Sequence, residues 1–285
     1  MIKQQPTWQR SAWRRPWPEI DPLERVVQAR RVARIDTVLA DRLASVVVVC
    51  EDIFDPHNVG ACLRTAEGYG LQDAHVITGK HGFRGPGSVA RSAEQWLTVQ
   101  RHASTERAVE TLRAQGFALW VSDLDAETEL QDLPVDGKIA LVVGNEAEGI
   151  SEAMRAAADV RYVLPMHGMV QSYNLSVALA ISLEHVARRR RLQLRASDQT
   201  GDLPLARQWQ LRTRWLESGV RQPAKMRAAY ARGDAAQDAA MLLEQQQAHG
   251  ELQAATSRTR TSLTLDGGPS SDDTSNPDRG GSDGN

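Results

Sequence analysis

The sequence predicts an α/β protein: a mostly parallel sheet with helices on both faces, followed by a C-terminal helical extension. Three observations carry that expectation. Several strand-length runs are apolar throughout, as in ASVVVVCED and KIALVVGNE, which suits strands buried on both sides. Helical stretches of about ten residues separate these runs. Turn residues (Gly, Asp, Asn, Pro) close each element.

Residues 1–24 hold Trp8, Trp13 and Trp17 among Arg and Pro without a regular period, so they read as an irregular extension. Such an arm either stacks on nucleic acid or packs on its own protein. ERVVQARRVARIDTVLADRL reads as a helix, with Val26, Val27, Ala29, Val32, Ile35, Val38 and Leu39 near helical spacing. The strand ASVVVVCED, the turn FDPHN and the helix VGACLRTAEGYG follow, then the strand DAHVITG. KHGFRGPGS is a glycine-rich loop, and VARSAEQWLTVQRH begins helically and ends as a strand. STERAVETLRAQG is a helix capped by Ser104 or Thr105 and stopped at Gly116. FALWVSDLD and KIALVVGNE are strands, ISEAMRAAA a helix capped by Ser151, and VRYVLPM the last strand. A polar loop then delivers the chain into the helix SVALAISLEHVARRRRLQ. LARQWQLRTRWLESGV and PAKMRAAYARG are two more helices, with Pro223 between them. The expected organisation is an extension over 1–24, a core over 25–195, a basic helical extension over 196–240 and a disordered tail over 241–285. That tail is rich in Ser, Asp and Gly and has too few apolar residues to offset its ordering entropy.

The 285 residues, 41% hydrophobic and 25% charged, suit a folded domain with appendages. No apolar run approaches a membrane span, and the N-terminus lacks a signal-type segment, so a cytoplasmic protein is expected. Cys50 and Cys62 are too few for a disulfide framework, and no Cys/His spacing suggests a metal site. The net charge of −2 hides an asymmetry: from Ala187 to Arg232 stand 12 Lys/Arg against the three acids Asp198, Asp202 and Glu217. A basic excess that local marks a polyanion-binding face, although any single Arg run is also read as a solvated helix end.

In a parallel sheet, working loops lie at the carboxyl ends of strands. Three such ends stand out. In DPHNVGACLRT, Asn58 sits at a helix start and Arg64 further along; they also read as an N-cap and a solvent-facing residue. In LVVGNEAEGIS, Gly144 permits close backbone approach and Glu146 stands directly behind the strand end. In HGMVQSYNLSVALA, the polar residues Gln171, Ser172, Tyr173, Asn174 and Ser176 crowd a helix start where one cap suffices. No G-x-G-x-x-G follows a strand, no G-x-x-x-x-G-K-[ST] occurs, and no G-x-S-x-G elbow is present. HGFRGPG lacks both the lysine and the following helix of a phosphate loop.

DPHNVGACLRTAEGYG, IALVVGNEAEGIS and VLPMHGMVQSYNLSVALAISL resemble, in order and spacing, the three motifs of the SpoU branch of SPOUT methyltransferases. The resemblance runs from about Arg30 to about Ala231. It implies methyl transfer from S-adenosylmethionine to a ribose 2'-hydroxyl, a C-terminal trefoil knot and a homodimer. Within the branch the pattern is most similar to enzymes that act on the D-loop guanosine 18 of tRNA. The alternatives are rRNA or another tRNA position, and a catalytically silent RNA-binding relative. By resemblance, Ser122, Val143, Gly144, Leu164, Met166 and Tyr173 hold the cofactor. Arg64, Asn58, Glu146, Ser172 and Asn174 form the reaction centre, with Ser176 capping the helix. The branch usually carries Leu where this chain has Tyr173. RNA contacts are expected from Arg188, Arg189, Arg190, Arg191, Arg212, Arg214 and Lys225, and no metal is expected.

Overall fold

The computed structural model describes Trp17, residues 20–78 and residues 93–232. The arm with Trp8 and Trp13, the HGFRGPG loop and the 241–285 tail lie outside the described residues. A 3-10 turn (Pro22–Arg25) leads to α1 (Ala29–Ala40), β1 (Val46–Glu51), α2 (Pro56–Gly68), β2 (Asp73–Ile77) and β3 (Thr98–His102). Then come α3 (Thr105–Ala114), β4 (Phe117–Ser122), a second 3-10 turn (Leu130–Asp132), β5 (Lys138–Val143), α4 (Glu152–Ala157) and β6 (Val160–Tyr162). Three helices follow: α5 (Leu175–Ala196), α6 (Leu205–Glu217) and α7 (Pro223–Arg232).

All six strands form one sheet in the order β3-β2-β1-β5-β4-β6, and each pairing is parallel. From Val46 to Cys50 and from Ile139 to Val143, the residues that face both sides of it are apolar. Val46, Val48, Cys50, Ile139, Leu141 and Val143 pack with Cys62 and Leu63 of α2 and Leu179 and Leu183 of α5. Val47, Val49, Ala140 and Val142 pack on the other face with Ala108 and Leu112 of α3 and Met154 of α4. This double coverage explains why β1 and β5 read as unbroken apolar runs. Strand order reverses between β1 and β5, where Cys50 pairs with Val143. The loops after these two strands therefore emerge side by side, the place where open parallel sheets bind ligands.

Three local expectations are corrected. The helix expected over 24–43 is split, because Asp21 caps a separate 3-10 turn and α1 begins only at Ala29. The last strand is three residues long; beyond it Val163 turns to pair with Glu129, its amide donating to Thr128 O. The boundary expected after residue 195 does not fall there. One compact unit runs through Gly219, and α6 packs on α1 within it. The second unit begins at Val220, and its described part is α7.

The α1–α6 contact is built on a buried cation. Arg212 of α6 is fully buried and ion-paired with Asp36 of α1 at 2.6 Å and with Glu24 at 2.8 Å. Burial alone would lower its pKa, but its bonds to Asp36 and Glu24 raise it, so the charge persists. Its guanidinium lies 5.4 Å from the ring centre of Trp17 and 6.0 Å from that of Trp209, and the two rings are 5.8 Å apart. Trp17, at least, packs on its own protein.

Arg191 does comparable work at another joint. It donates to the carbonyls of Asp41 (2.8 Å), Tyr69 (2.7 Å) and Thr200 (3.1 Å). Asp41 and Tyr69 are the C-terminal caps of α1 and α2, so one cation meets the negative ends of two helix dipoles.

A pH dependence follows from β2 and β3. His75 is fully buried, and its Nδ1 lies 2.9 Å from His102 Nε2. Burial, then the neighbouring His102, push His75 down to about 4 against a weaker pull from Asp73. The unfolded imidazole titrates near about 6.5, so between the two values the unfolded chain binds more protons. Stability is therefore full above that range and falls as the solution is acidified toward pH 4, by about 3 kcal/mol at most. Urea midpoints measured across this range should show the fall, and His75→Phe should flatten it.

Candidate active site

Four of the elements above converge on one cavity of about 570 Å³. Its walls are Ser122 to Asp125 after β4, Val143 to Ile150 after β5, Leu164 and Met166 after β6, and Gln171 to Leu175 leading into α5. Ala178 and Arg155 complete it.

Each wall is held by local chemistry. After β5 the chain makes a closed turn in which Asn145 and Gly149 exchange two backbone hydrogen bonds of 2.9 Å. Asn145 Oδ1 accepts from the amides of Ala147 and Glu148, and Asn145 Nδ2 donates to Asp52 O at 2.7 Å, tying this turn to the loop after β1. A Cβ on Gly144 would stand 2.3 Å from Gly149 O. Gly144 is thus required by its own returning turn. Beneath this turn the carboxylate of Glu51 accepts from Thr105 Oγ1, Ser151 N and Ser151 Oγ, joining β1 to the starts of α3 and α4. On the other side Tyr162 donates to Ser182 Oγ at 2.9 Å, pinning β6 to α5.

Glu146 gathers the polar groups. It accepts from the amides of Phe54 (2.9 Å) and Asp55 (3.2 Å) and from Asn58 Nδ2 (2.7 Å). Asn58 Oδ1 in turn accepts from Asn174 Nδ2 at 3.3 Å. Residues from three distant turns therefore form one chain, Glu146–Asn58–Asn174. Partial burial would raise the Glu146 pKa, but the Asn58 side chain and the backbone amides outweigh it and hold it below the usual carboxylate range. Glu146 is an anion that fixes its neighbours, and a poor proton acceptor.

A model of the SpoU rRNA methylase family matches residues 45–184. The tRNA (guanosine(18)-2'-O)-methyltransferase of Borreliella burgdorferi is 34% identical over 163 residues, 57% of this chain and 75% of that one. The chain belongs to the SpoU methylase family. A 23S rRNA (guanosine-2'-O-)-methyltransferase of a Burkholderia species is 35% identical over 177 residues, 58% of this chain and 68% of that one. Among solved structures, the A. aeolicus TrmH/SpoU tRNA modifying enzyme superposes with a TM-score of 0.60 at 24% identity, covering 68% of this chain and 98% of that one. At that identity the likeness is one of fold.

The six positions that the family resemblance assigns to the cofactor, Ser122, Val143, Gly144, Leu164, Met166 and Tyr173, all line this methylase's cavity. So do Glu146, Ser172 and Asn174. Asn58 reaches the cavity through its bonds to Glu146 and Asn174. It does not cap α2: Asp55 does, accepting from His57 N, and Asn58 is left free to face Glu146. Nor does Ser176 cap α5. Asn174 is the cap, and Ser176 donates both its amide and its hydroxyl to Asn174 Oδ1. Arg64 lies on α2 outside the cavity walls, exposed and making no hydrogen bond or ion pair among the described residues. Tyr173 is partly exposed, with its hydroxyl 3.5 Å from Pro165 O across the base of its own loop.

The basic residues fare differently. Arg212 and Arg191 are structural cations, as described, and neither presents a free guanidinium; for these two the RNA assignment is corrected. Arg189 donates to Leu133 O and Gln131 O, Arg190 to Gly137 O and Arg214 to Leu97 O. Arg188 is exposed beside Glu184, and Lys225 is exposed on α7. Spacing along the chain had no means of showing which arginines serve carbonyls of other segments. The cavity also holds residues that the motifs did not flag: Asp123, Asp125 and Arg155, on β4's loop and on α4.

Proposed function

We propose that this protein transfers a methyl group from S-adenosylmethionine to a ribose 2'-hydroxyl of tRNA, at guanosine 18 of the D-loop, in the cytoplasm and as a homodimer. One observation carries the reading: three loops from the carboxyl side of a parallel sheet close one cavity around the Glu146–Asn58–Asn174 chain. The cavity fits the cofactor in size and in lining. It offers apolar surface at Val143, Leu164 and Met166 and polar groups at Ser122, Ser172 and Tyr173. The family also implies a C-terminal trefoil knot.

S-adenosylmethionine supplies, when bound, an activated methyl group and its own leaving group. The protein's task is to align an alcohol oxygen and take up its proton. Asn174 and Ser172 are placed to orient the ribose, with Asn174 fixed through Asn58 to Glu146. A guanidinium stays protonated in proteins, so Arg64 is not the base. Its unpaired fork instead grips a phosphate beside the target ribose and stabilises the developing negative charge. Since Glu146 holds its carboxyl ionised through three donors, the proton leaves to phosphate or water.

Glu146→Gln places an amide NH₂ against groups that are themselves donors. It is expected to lower turnover roughly tenfold to a hundredfold. Asn58→Ala should act non-additively with it, which a double-mutant cycle of single-turnover rates reads directly.

For the homodimer, Val177 and Ile181 stand four residues apart on one face of α5, exposed, with exposed Met169 and Val170 in the loop before them. An apolar patch beside the cavity suits a second copy. Val177→Glu with Ile181→Glu is expected to give a monomer by light scattering, and an unchanged dimer would contradict this surface.

Incubation with labelled S-adenosylmethionine and bulk tRNA or ribosomal RNA, followed by mapping of the methylated ribose, tests the function. Label at the D-loop guanosine is the expected result. Label in rRNA alone would move the substrate to the other relative's class, and no label on either RNA would leave a silent RNA-binding relative.

A further inference from the structure

The cavity contains a charged couple with unmet bonding capacity. Arg155, on α4, approaches Asp123 Oδ2 with its Nε at 3.5 Å and Asp125 Oδ2 with its Nη1 at 3.6 Å. Both separations exceed a good hydrogen bond. The Nε proton is buried and has no acceptor among the described residues. Asp123 is already committed elsewhere: Arg161 donates to its Oδ2 from Nε and Nη2 at 2.8 Å each, and Asp125 N donates to its Oδ1. Arg155 thus faces the cavity with donors to spare. Asp125, largely exposed, faces it with an anionic acceptor whose one ion pair among the described residues is the loose one to Arg155.

A guanidinium and a carboxylate side by side match a ligand group that carries both charges. In the donor proposed above, the adenine and ribose are neutral, and the α-amino acid end alone is a zwitterion. We propose that Arg155 and Asp125 form the subsite for that end, with Arg155 binding the α-carboxylate through a charge-assisted pair and Asp125 attracting the α-ammonium. This inference rests on the functional reading given above and adds two residues to its binding site. It also explains the slack geometry. A pair bonded tightly to itself would have to be broken on binding, whereas Arg161 already satisfies Asp123 and leaves Arg155 available.

The experiment is calorimetric titration of two unreactive ligands, S-adenosylhomocysteine, which has the amino acid end, and 5'-methylthioadenosine, which lacks it. The wild-type protein should bind both. Arg155→Gln and Asp125→Asn should each weaken S-adenosylhomocysteine by about tenfold to a hundredfold, as expected when a charge-assisted bond is removed. Methylthioadenosine should change less than about twofold, which also reports that the pocket is still folded. Equal weakening of both ligands would overturn the proposal and place the couple at the ribose or in the fold. So would unchanged affinity for S-adenosylhomocysteine in both variants. If the wild-type protein bound neither ligand, the functional reading itself would fail, a result distinct from either of these.

Discussion

Arg64→Ala is expected to lower single-turnover methyl transfer to tRNA by about a hundredfold or more, the range seen when a transition-state charge loses its stabilising donor. Binding of S-adenosylmethionine should be unchanged, because Arg64 lies outside the cavity walls. The reasoning starts from its isolation. Arg64 is exposed and makes no hydrogen bond or ion pair among the described residues, whereas Arg189, Arg190 and Arg191 all have partners within the protein. An uncommitted guanidinium on the helix that carries Asn58 is available for a phosphate, which it can meet with two parallel hydrogen bonds. Arg64→Lys keeps the charge and loses the fork, so it should recover only part of the rate. A lysine variant with near wild-type turnover would contradict bidentate binding.

Arg212→Met is expected to destabilise the protein by about 3–5 kcal/mol, because it leaves the carboxylates of Glu24 and Asp36 without their shared cation in a largely buried joint. The urea midpoint should fall accordingly. Restoring neutrality with Glu24→Gln and Asp36→Asn in the same chain should regain much of the loss, since the penalty comes from unpaired buried charge. RNA affinity per folded molecule should change little. Arg188→Ala and Lys225→Ala should do the reverse. Stability should hold while the salt dependence of RNA binding becomes shallower, by about 0.7–0.9 in slope for each phosphate that is no longer neutralised.

These contrasts show where the sequence was informative. The sheet was legible because its central parallel strands are buried on both faces, and Val46–Cys50 and Ile139–Val143 are apolar at every position, shared between both core clusters. The site was legible because three short turns each carry more polar residues than capping needs. Their physical convergence follows from the strand order, with β1 beside β5 and β4 next to it. What pattern could not supply was partner identity. A run of four arginines reads as a basic surface, yet Arg191 spends its donors on the ends of two helices. Arg212, five residues from its nearest acid in sequence, pairs with acids more than 170 residues away. The cap expected at Ser176, and the alternative reading of Asn58 as a cap, fail for a similar reason. Asp55 and Asn174 take those roles, and this frees Asn58 to complete the hydrogen-bonded chain. The Arg155–Asp125 couple belongs to no motif and is visible only once α4 is folded against the loop after β4.

The cavity at the sheet's switch point is not the largest in the protein. A hollow of about 760 Å³ lies between α1 and residues 198–205, lined by Val32, Ala33 and Thr37. Hydrogen–deuterium exchange with saturating S-adenosylmethionine discriminates between the two. Binding at the switch point predicts slowed exchange in 122–125, 143–150 and 164–178 together, with α1 and 198–205 unaffected. Protection of α1 and 198–205 without those three segments would contradict the assignment of the methyl-donor site.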